Sequence, residues 1–164
     1  MVYAKFSSAL LWFVLVISQA AWGADRPGDV PDGAMRYEIE RITDGDTIVL
    51  VDGTRVRLHG IDAPERDQPF GSKATAALDY MVGGAVYVVE VDTDRYGRMV
   101  GQLYHATEGY DINASMVCAG FAWWYERYAK DSELLRDCEL EARGSSKGLW
   151  SDVEPVPPWQ WRRR

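Results

Sequence analysis

Three short stretches of this chain carry acids and arginines in a mixture suited to chemistry: Asp44-Gly-Asp-Thr47, Arg57-Leu-His-Gly-Ile-Asp-Ala-Pro-Glu65 and Asp94-Arg-Tyr-Gly-Arg98. Hard cations favour clustered carboxylates, and phosphates favour arginine forks. A site that needs both signs handles a metal and a phosphate. Asp46 and Asp62 lead as metal ligands, each expected at the edge of a strand. Carboxylate oxygens without thiol or imidazole partners select calcium or magnesium, and a backbone carbonyl such as that of Ala63 can complete a calcium shell. Asp44 is near enough in sequence to join through a water. Glu65 follows Pro64, whose ring fixes the local backbone, so its carboxylate can be held in place as a general base. Arg57 and Arg98 are candidates for binding the phosphate and the charge that grows on it in a displacement. Taken singly, each has a plainer explanation: Asp-Gly-Asp is usually a turn, and loop glutamates and arginines are usually solvated. The case rests on their joint occurrence.

Tyr96, Tyr125 and Tyr128 offer aromatic faces or hydroxyls to a base or phosphate. The run Phe121-Ala-Trp-Trp-Tyr-Glu-Arg-Tyr128 otherwise reads as core and rim, with Trp123 and Trp124 assigned to packing. His59 and His105, the only histidines, sit on expected strands far apart and make no convincing ligand or base.

The elements that must position these residues are legible in outline. Tyr37 to Ile42 alternates polar and apolar residues as a half-buried strand does. Thr47 to Val51 and Thr54 to Ile61 are β-rich runs separated by Asp52-Gly53, the strongest short hairpin signal. Lys73 to Met81 is rich in helix formers and is stopped by Gly83-Gly84. Ala85 to Val91 and Met99 to Tyr104 return to strand character. Asp111 can cap a helix ending near Gly120, and Asp131 or Ser132 another running to about Arg143. In that last helix Leu134, Leu135, Cys138 and Ala142 form the apolar stripe, and Glu133, Arg136, Asp137, Glu139 and Glu141 read as a solvated face. Strands followed by helices imply an α+β, mainly β, domain: a five-stranded OB-like β-barrel with three packed helices.

Phe6 to Ile17 is an apolar run broken only by two serines, and Lys5 is the only charge before Asp25. That is the length of a signal-peptide core and short for a membrane span. Residues 1–23 are therefore expected to be a signal peptide, cleaved after Gly23 or alternatively after Ala20. Export to the periplasm or medium follows, with an uncleaved membrane anchor as the other reading. Residues 24–34, rich in proline and glycine, read as a flexible linker, 35–151 as the domain and 152–164 as a Pro/Trp/Arg tail. The whole chain carries 18 basic and 25 acidic residues, a formal charge of -7. That sign excludes a protein that grips nucleic acid over its whole surface, so any polyanion must meet a local patch. Cys118 and Cys138 are the only cysteines, and in an oxidising compartment an even pair favours a disulfide over two buried thiols. In the tail, Trp159, Trp161 and the terminal arginines can either stack on nucleic acid or lie along the domain. The second is favoured, with the arginines solubilising the chain end.

With these motifs in order, and with Gly120-x-Ala-Trp and Gly148-Leu-Trp150 after them, the chain resembles the staphylococcal-type nuclease, or thermonuclease, family from about Tyr37 to Trp150. The resemblance implies an OB-fold barrel with three helices and a calcium-dependent endonuclease that cuts DNA and RNA, leaving 3′-phosphate ends. Carried over by position, it implies that Asp46, Asp62 and the Ala63 carbonyl bind calcium and Glu65 activates water. It also implies that Arg57 and Arg98 stabilise the transition state and that Arg95 meets phosphate. Ala63 departs from the threonine often found there, and the acidic net charge departs from the best-known members.

A shallow barrel face with a few tyrosines suits single strands, and nothing demands more than a monomer. A second reading is a nuclease-like module that binds nucleic acid or protein without cutting, a class that typically loses the acid and arginine set kept here. A third, a disulfide-stabilised structural domain, leaves that set unexplained.

Overall fold

A computed structural model describes residues 26–164. The expected signal peptide and both of its cleavage sites lie outside the described residues. Within the expected linker, Val30 is buried with Ala34 and Tyr87, and its amide donates to the Pro27 carbonyl.

Five strands close into a barrel: β1 (Met35–Asp44), β2 (Thr47–Leu50), β3 (Arg55–Leu58), β5 (Ala85–Thr93) and β6 (Met99–His105), in the order β1-β2-β3-β6-β5. All neighbours run antiparallel except β3 and β6, which are parallel. Two further two-residue strands, β4 (Ile61–Asp62) and β7 (Trp123–Trp124), pair with each other outside the barrel. The helices are α1 (Gly71–Val82), α2 (Ile112–Cys118), α3 (Glu126–Ala129), α4 (Glu133–Gly144) and α5 (Pro158–Trp161), with a 3-10 turn at Gly148–Ser151. The expected barrel with three helices is present as α1, α2 and α4. The one-turn pieces α3 and α5 are additional, each too short for apolar periodicity to announce it.

One expected strand is divided. The run Thr54 to Ile61 breaks at His59-Gly60 because Gly60 takes φ +72°, a left-handed conformation that ends β3 and turns the chain into β4. That corner moves Asp62 out of the barrel ladder and pairs it with Trp123. Asn113, fully buried at the start of α2, locks the corner. Its Nδ2 donates to the carbonyls of His59 (3.0 Å) and Gly101 (3.1 Å), and its Oδ1 accepts the Leu103 amide.

The core joins barrel and helices. Ile48, Leu50, Val56, Leu58, Val86, Val88 and Leu103 fill the interior. From α1, Ala74, Leu78 and Val82, spaced four apart on one face, close its end. Gly45 permits that helix to approach: a Cβ there would stand 2.7 Å from the Cβ atoms of both Ala63 and Ala74. Helix α4 buries Leu135, Cys138, Glu139 and Ala142. Two residues of its expected pattern are thereby reversed. Leu134 lies exposed, and Glu139 is buried because it accepts the Trp124 amide at 3.1 Å and pairs with Arg143.

Burial pushes the Glu139 carboxyl above its ordinary value near 4.5, outweighing the Arg143 charge and the Trp124 amide. The folded state then binds more protons than the unfolded one above that pH, so this group's contribution falls as pH rises through the window. Glu139→Gln is expected to flatten the decline in stability as pH rises above 4.5. Urea denaturation of both proteins over that range checks it.

Cys118 at the end of α2 is bonded to Cys138 in α4, with Cα atoms 4.3 Å apart and the two residues 20 positions apart in sequence. A loop of that length places the cost of losing the bond at about 3 kcal/mol. Denaturation of the Cys118→Ser, Cys138→Ser protein beside the oxidised parent measures it.

Candidate active site

The structure brings together five of the charged residues that the sequence singles out, Asp44, Asp46, Arg57, Asp62 and Glu65. Arg57 on β3 extends its fork between two strand ends: Nη1 donates to Asp46 Oδ1 at 2.7 Å and Nη2 to Asp62 Oδ1 at 2.8 Å. The β2 to β3 register explains the reach, since Arg57 lies opposite Thr47, the residue after Asp46. Asp46 is further fixed by the Thr47 hydroxyl on Oδ1 (2.9 Å) and the Ala63 amide on Oδ2 (3.0 Å). Asp44 accepts the Asp46 amide at 3.1 Å and stands behind the pair. Glu65 lies in the loop before α1, its backbone amide held by Gln68 Oε1 and its carbonyl accepting from the Gln68 amide.

The carboxylates are buried, at 4% exposure for Asp46 and 0% for Asp62. Burial pushes the Asp62 carboxyl above the usual range against the opposing pull of Arg162 and Arg57. Asp44 is pushed to about 6 by burial and then by the charge of Asp46. Burial also works against the charge of Arg57, but Asp46 and Asp62 outweigh it and hold the guanidinium above its usual value. The site is a cluster of carboxylates that carry their charge only with cations against them.

The second cluster keeps apart from the first. Arg98 donates through Nε to Asp94 Oδ2 at 2.7 Å, closing the β5–β6 turn, and its guanidinium lies 5.6 Å from the centre of the Tyr96 ring. Arg95 covers the same ring and donates to its hydroxyl at 2.7 Å. Parallel pairing sets Met99 opposite Val56, so Arg98 enters β6 beside the strand that bears Arg57. Among the described residues it has no ion pair with Asp46, Asp62 or Glu65.

The aromatic run divides by burial. Trp123 is buried against Trp150, ring centres 4.2 Å apart. Trp124 donates its indole N–H to the Ala129 carbonyl. Tyr125 and Tyr128 meet edge to face at 5.0 Å, and Tyr128 is 62% exposed. The β4–β7 pairing places this run beside Asp62. His105 stacks on Tyr110 and accepts the Glu108 amide, and burial lowers the His59 imidazole.

Sequence reasoning missed Arg162, which it read as a solubilising end. Its Nη2 donates to Asp62 Oδ2 at 2.7 Å and its Nη1 to Glu65 Oε1 at 2.5 Å, making it the bridge between those two acids. The tryptophans do lie along the domain, Trp159 stacking on Tyr125 at 5.1 Å. The hundred residues separating Arg162 from Asp62 leave no local signal for the contact.

As a cation site the pocket presents oxygen only. Among the described residues no cage of three or more His, Cys, Asp or Glu side chains is assembled. Two buried carboxylates already drawing two guanidinium groups fit a hard cation that completes its shell with carbonyls and water, and do not fit zinc.

Comparison with known proteins accords with this geometry. The family model described as staphylococcal nuclease homologue matches residues 55–152. An uncharacterized endonuclease of Escherichia coli O157:H7 is 47% identical over 77% of this chain and 84% of its own length. Protein ParB of Escherichia coli is 45% identical over 98% of the chain and 92% of its own. A micrococcal nuclease of Shigella flexneri is 44% identical over 92% and 87% respectively. Matched family model, nuclease-named relatives and closed barrel agree: the chain belongs to the staphylococcal nuclease homologue family.

Proposed function

We propose that the protein is an exported calcium-dependent endonuclease that hydrolyses phosphodiester bonds of DNA and RNA with low sequence specificity. The observation that carries the reading is the convergence of Asp46 and Asp62 on one arginine fork with Glu65 alongside. Endonuclease and micrococcal nuclease are also the names borne by similar proteins.

In this reading Asp46, Asp62 and the Ala63 carbonyl hold calcium, which when bound supplies positive charge that draws electron density from the phosphodiester oxygens. Glu65 accepts a proton from water as the water oxygen forms its bond to phosphorus. The bond from phosphorus to the 5′ oxygen breaks on the opposite side, and that oxygen takes a proton from solvent. Products carry 3′-phosphate and 5′-hydroxyl ends. Arg57, locked by its two acids, presents fixed charge to the equatorial oxygens at no reorganisation cost. Arg98, oriented by Asp94 at the neighbouring strand, supplies a second. Arg95, Tyr96 and Tyr128 receive the nucleotides flanking the break, with Tyr125 covered on one face by Trp159 and offering them its remaining edge and hydroxyl, and the exposed Tyr96 and Tyr128 rings favour single strands.

Incubating single-stranded and duplex DNA, and RNA, with the purified mature chain and calcium tests the reading. Faster cutting of single strands with 3′-phosphate ends is expected. Binding without cutting would support the non-catalytic module instead. The Phe6 to Ile17 run supports export, and the same preparation from a periplasmic extract would yield the processed amino terminus.

A further inference from the structure

Arg162 is not held as the residues around it are. Arg163 and Arg164 follow it directly, yet among the described residues neither makes an ion pair, and Arg164 lies over the Trp161 ring. Arg162 alone turns inward, with both ends of its fork on acids of the pocket. The segment that delivers it is docked at several points. Gln68 donates to the Val156 carbonyl, Trp161 Nε1 donates to Asp67 Oδ1, and Trp159 packs on Trp123 as well as Tyr125. Arg162 is therefore tethered within reach of the site while its side chain remains 41% exposed.

Arg162 is the donor to Asp62 Oδ2 at 2.7 Å and reaches Oδ1 more weakly at 3.3 Å, whereas Arg57 holds Oδ1 at 2.8 Å. A cation that binds Asp62 must compete with the first of these, since the more exposed and peripheral guanidinium is the one that can leave. Once displaced, a planar fork anchored at the pocket rim finds its next anion in the substrate, and phosphate matches its geometry. We propose that Arg162 is a third arginine of the active site, held on Asp62 and Glu65 while the pocket lacks a cation and turned onto the substrate phosphate when one is bound. The inference rests on the calcium-dependent reading above.

Arg162→Ala in the full mature chain tests both halves, with Arg163→Ala as a control that removes the same charge. Calorimetric titration of calcium into chelator-stripped protein should give a dissociation constant about tenfold lower for Arg162→Ala, because a ligand no longer has to displace a competitor. At saturating calcium the affinity for a nucleoside 3′,5′-bisphosphate, which offers phosphates but no bond to cut, should fall about tenfold, with Arg162→Lys recovering part of it. Arg163→Ala should do neither. Equal calcium constants in parent and Arg162→Ala, or equal bisphosphate affinities, would overturn the inference while leaving the calcium reading intact. Absence of calcium binding in both proteins would remove the calcium reading and the inference with it. Thermal melting of each variant verifies that it is folded.

Discussion

Replacing Arg57 by alanine is expected to cut both activity and stability, and by different routes. Losing a preorganised donor to the transition state lowers kcat by about a hundred- to a thousandfold. The fork also neutralises two carboxylates that have almost no access to water. Removing it leaves Asp46 without a charged partner and Asp62 with Arg162 alone, a cost on the order of 3 kcal/mol for a broken buried pair. Calcium should restore more stability to Arg57→Ala than it adds to the parent, since it returns positive charge to the same oxygens. Urea denaturation with chelator and with calcium separates these effects from the kinetics. Arg57→Lys keeps the charge but cannot span both acids, so it should recover stability better than rate.

Glu65→Gln is the second large effect, and it should fall on rate alone. The side chain is partly exposed in a loop whose backbone is held by Gln68 and by close packing of Gly71 on the Glu65 carbonyl, so an isosteric amide preserves the shape. It cannot accept the proton that leaves the attacking water, and removal of a general base costs about 10² to 10⁴ in kcat. Calcium affinity should not fall, because Asp46 and Asp62 remain and Glu65 also anchors the competing Arg162. Single-turnover cleavage beside a calcium titration reads both. A variant that cut at the parental rate would transfer the base role elsewhere in the pocket.

The barrel was readable because its signals are local. Asp52-Gly53 marks the β2–β3 turn, with Gly53 at φ +85°. Asp111 and Ser132 cap α2 and α4 through the Ala114 and Leu135 amides, and Gly83 ends α1 in the left-handed region. Asp46, Arg57, Asp62 and Glu65 were nominated by type and spacing, and strand pairing supplies the proximity that spacing alone does not. The failures share one cause. The division of the third strand depends on Asn113 reaching back to the His59 carbonyl, and the burial of Glu139 on an amide in β7. Arg162 depends on a tail that folds back over the whole domain. Each is a polar contact between elements remote in sequence, and hydrophobic periodicity carries no information about such pairs.

In the proposed reading one site binds a divalent cation and breaks a phosphodiester bond, with Asp62 serving both. The most direct test is the initial rate of single-stranded DNA cleavage by the purified mature chain as calcium is raised from chelator to saturation, beside Asp62→Asn. The account predicts a saturable rise from no cleavage in the parent and a flat trace in the variant. Cleavage that persists in chelator, or an Asp62→Asn protein that follows the parental curve, would contradict it.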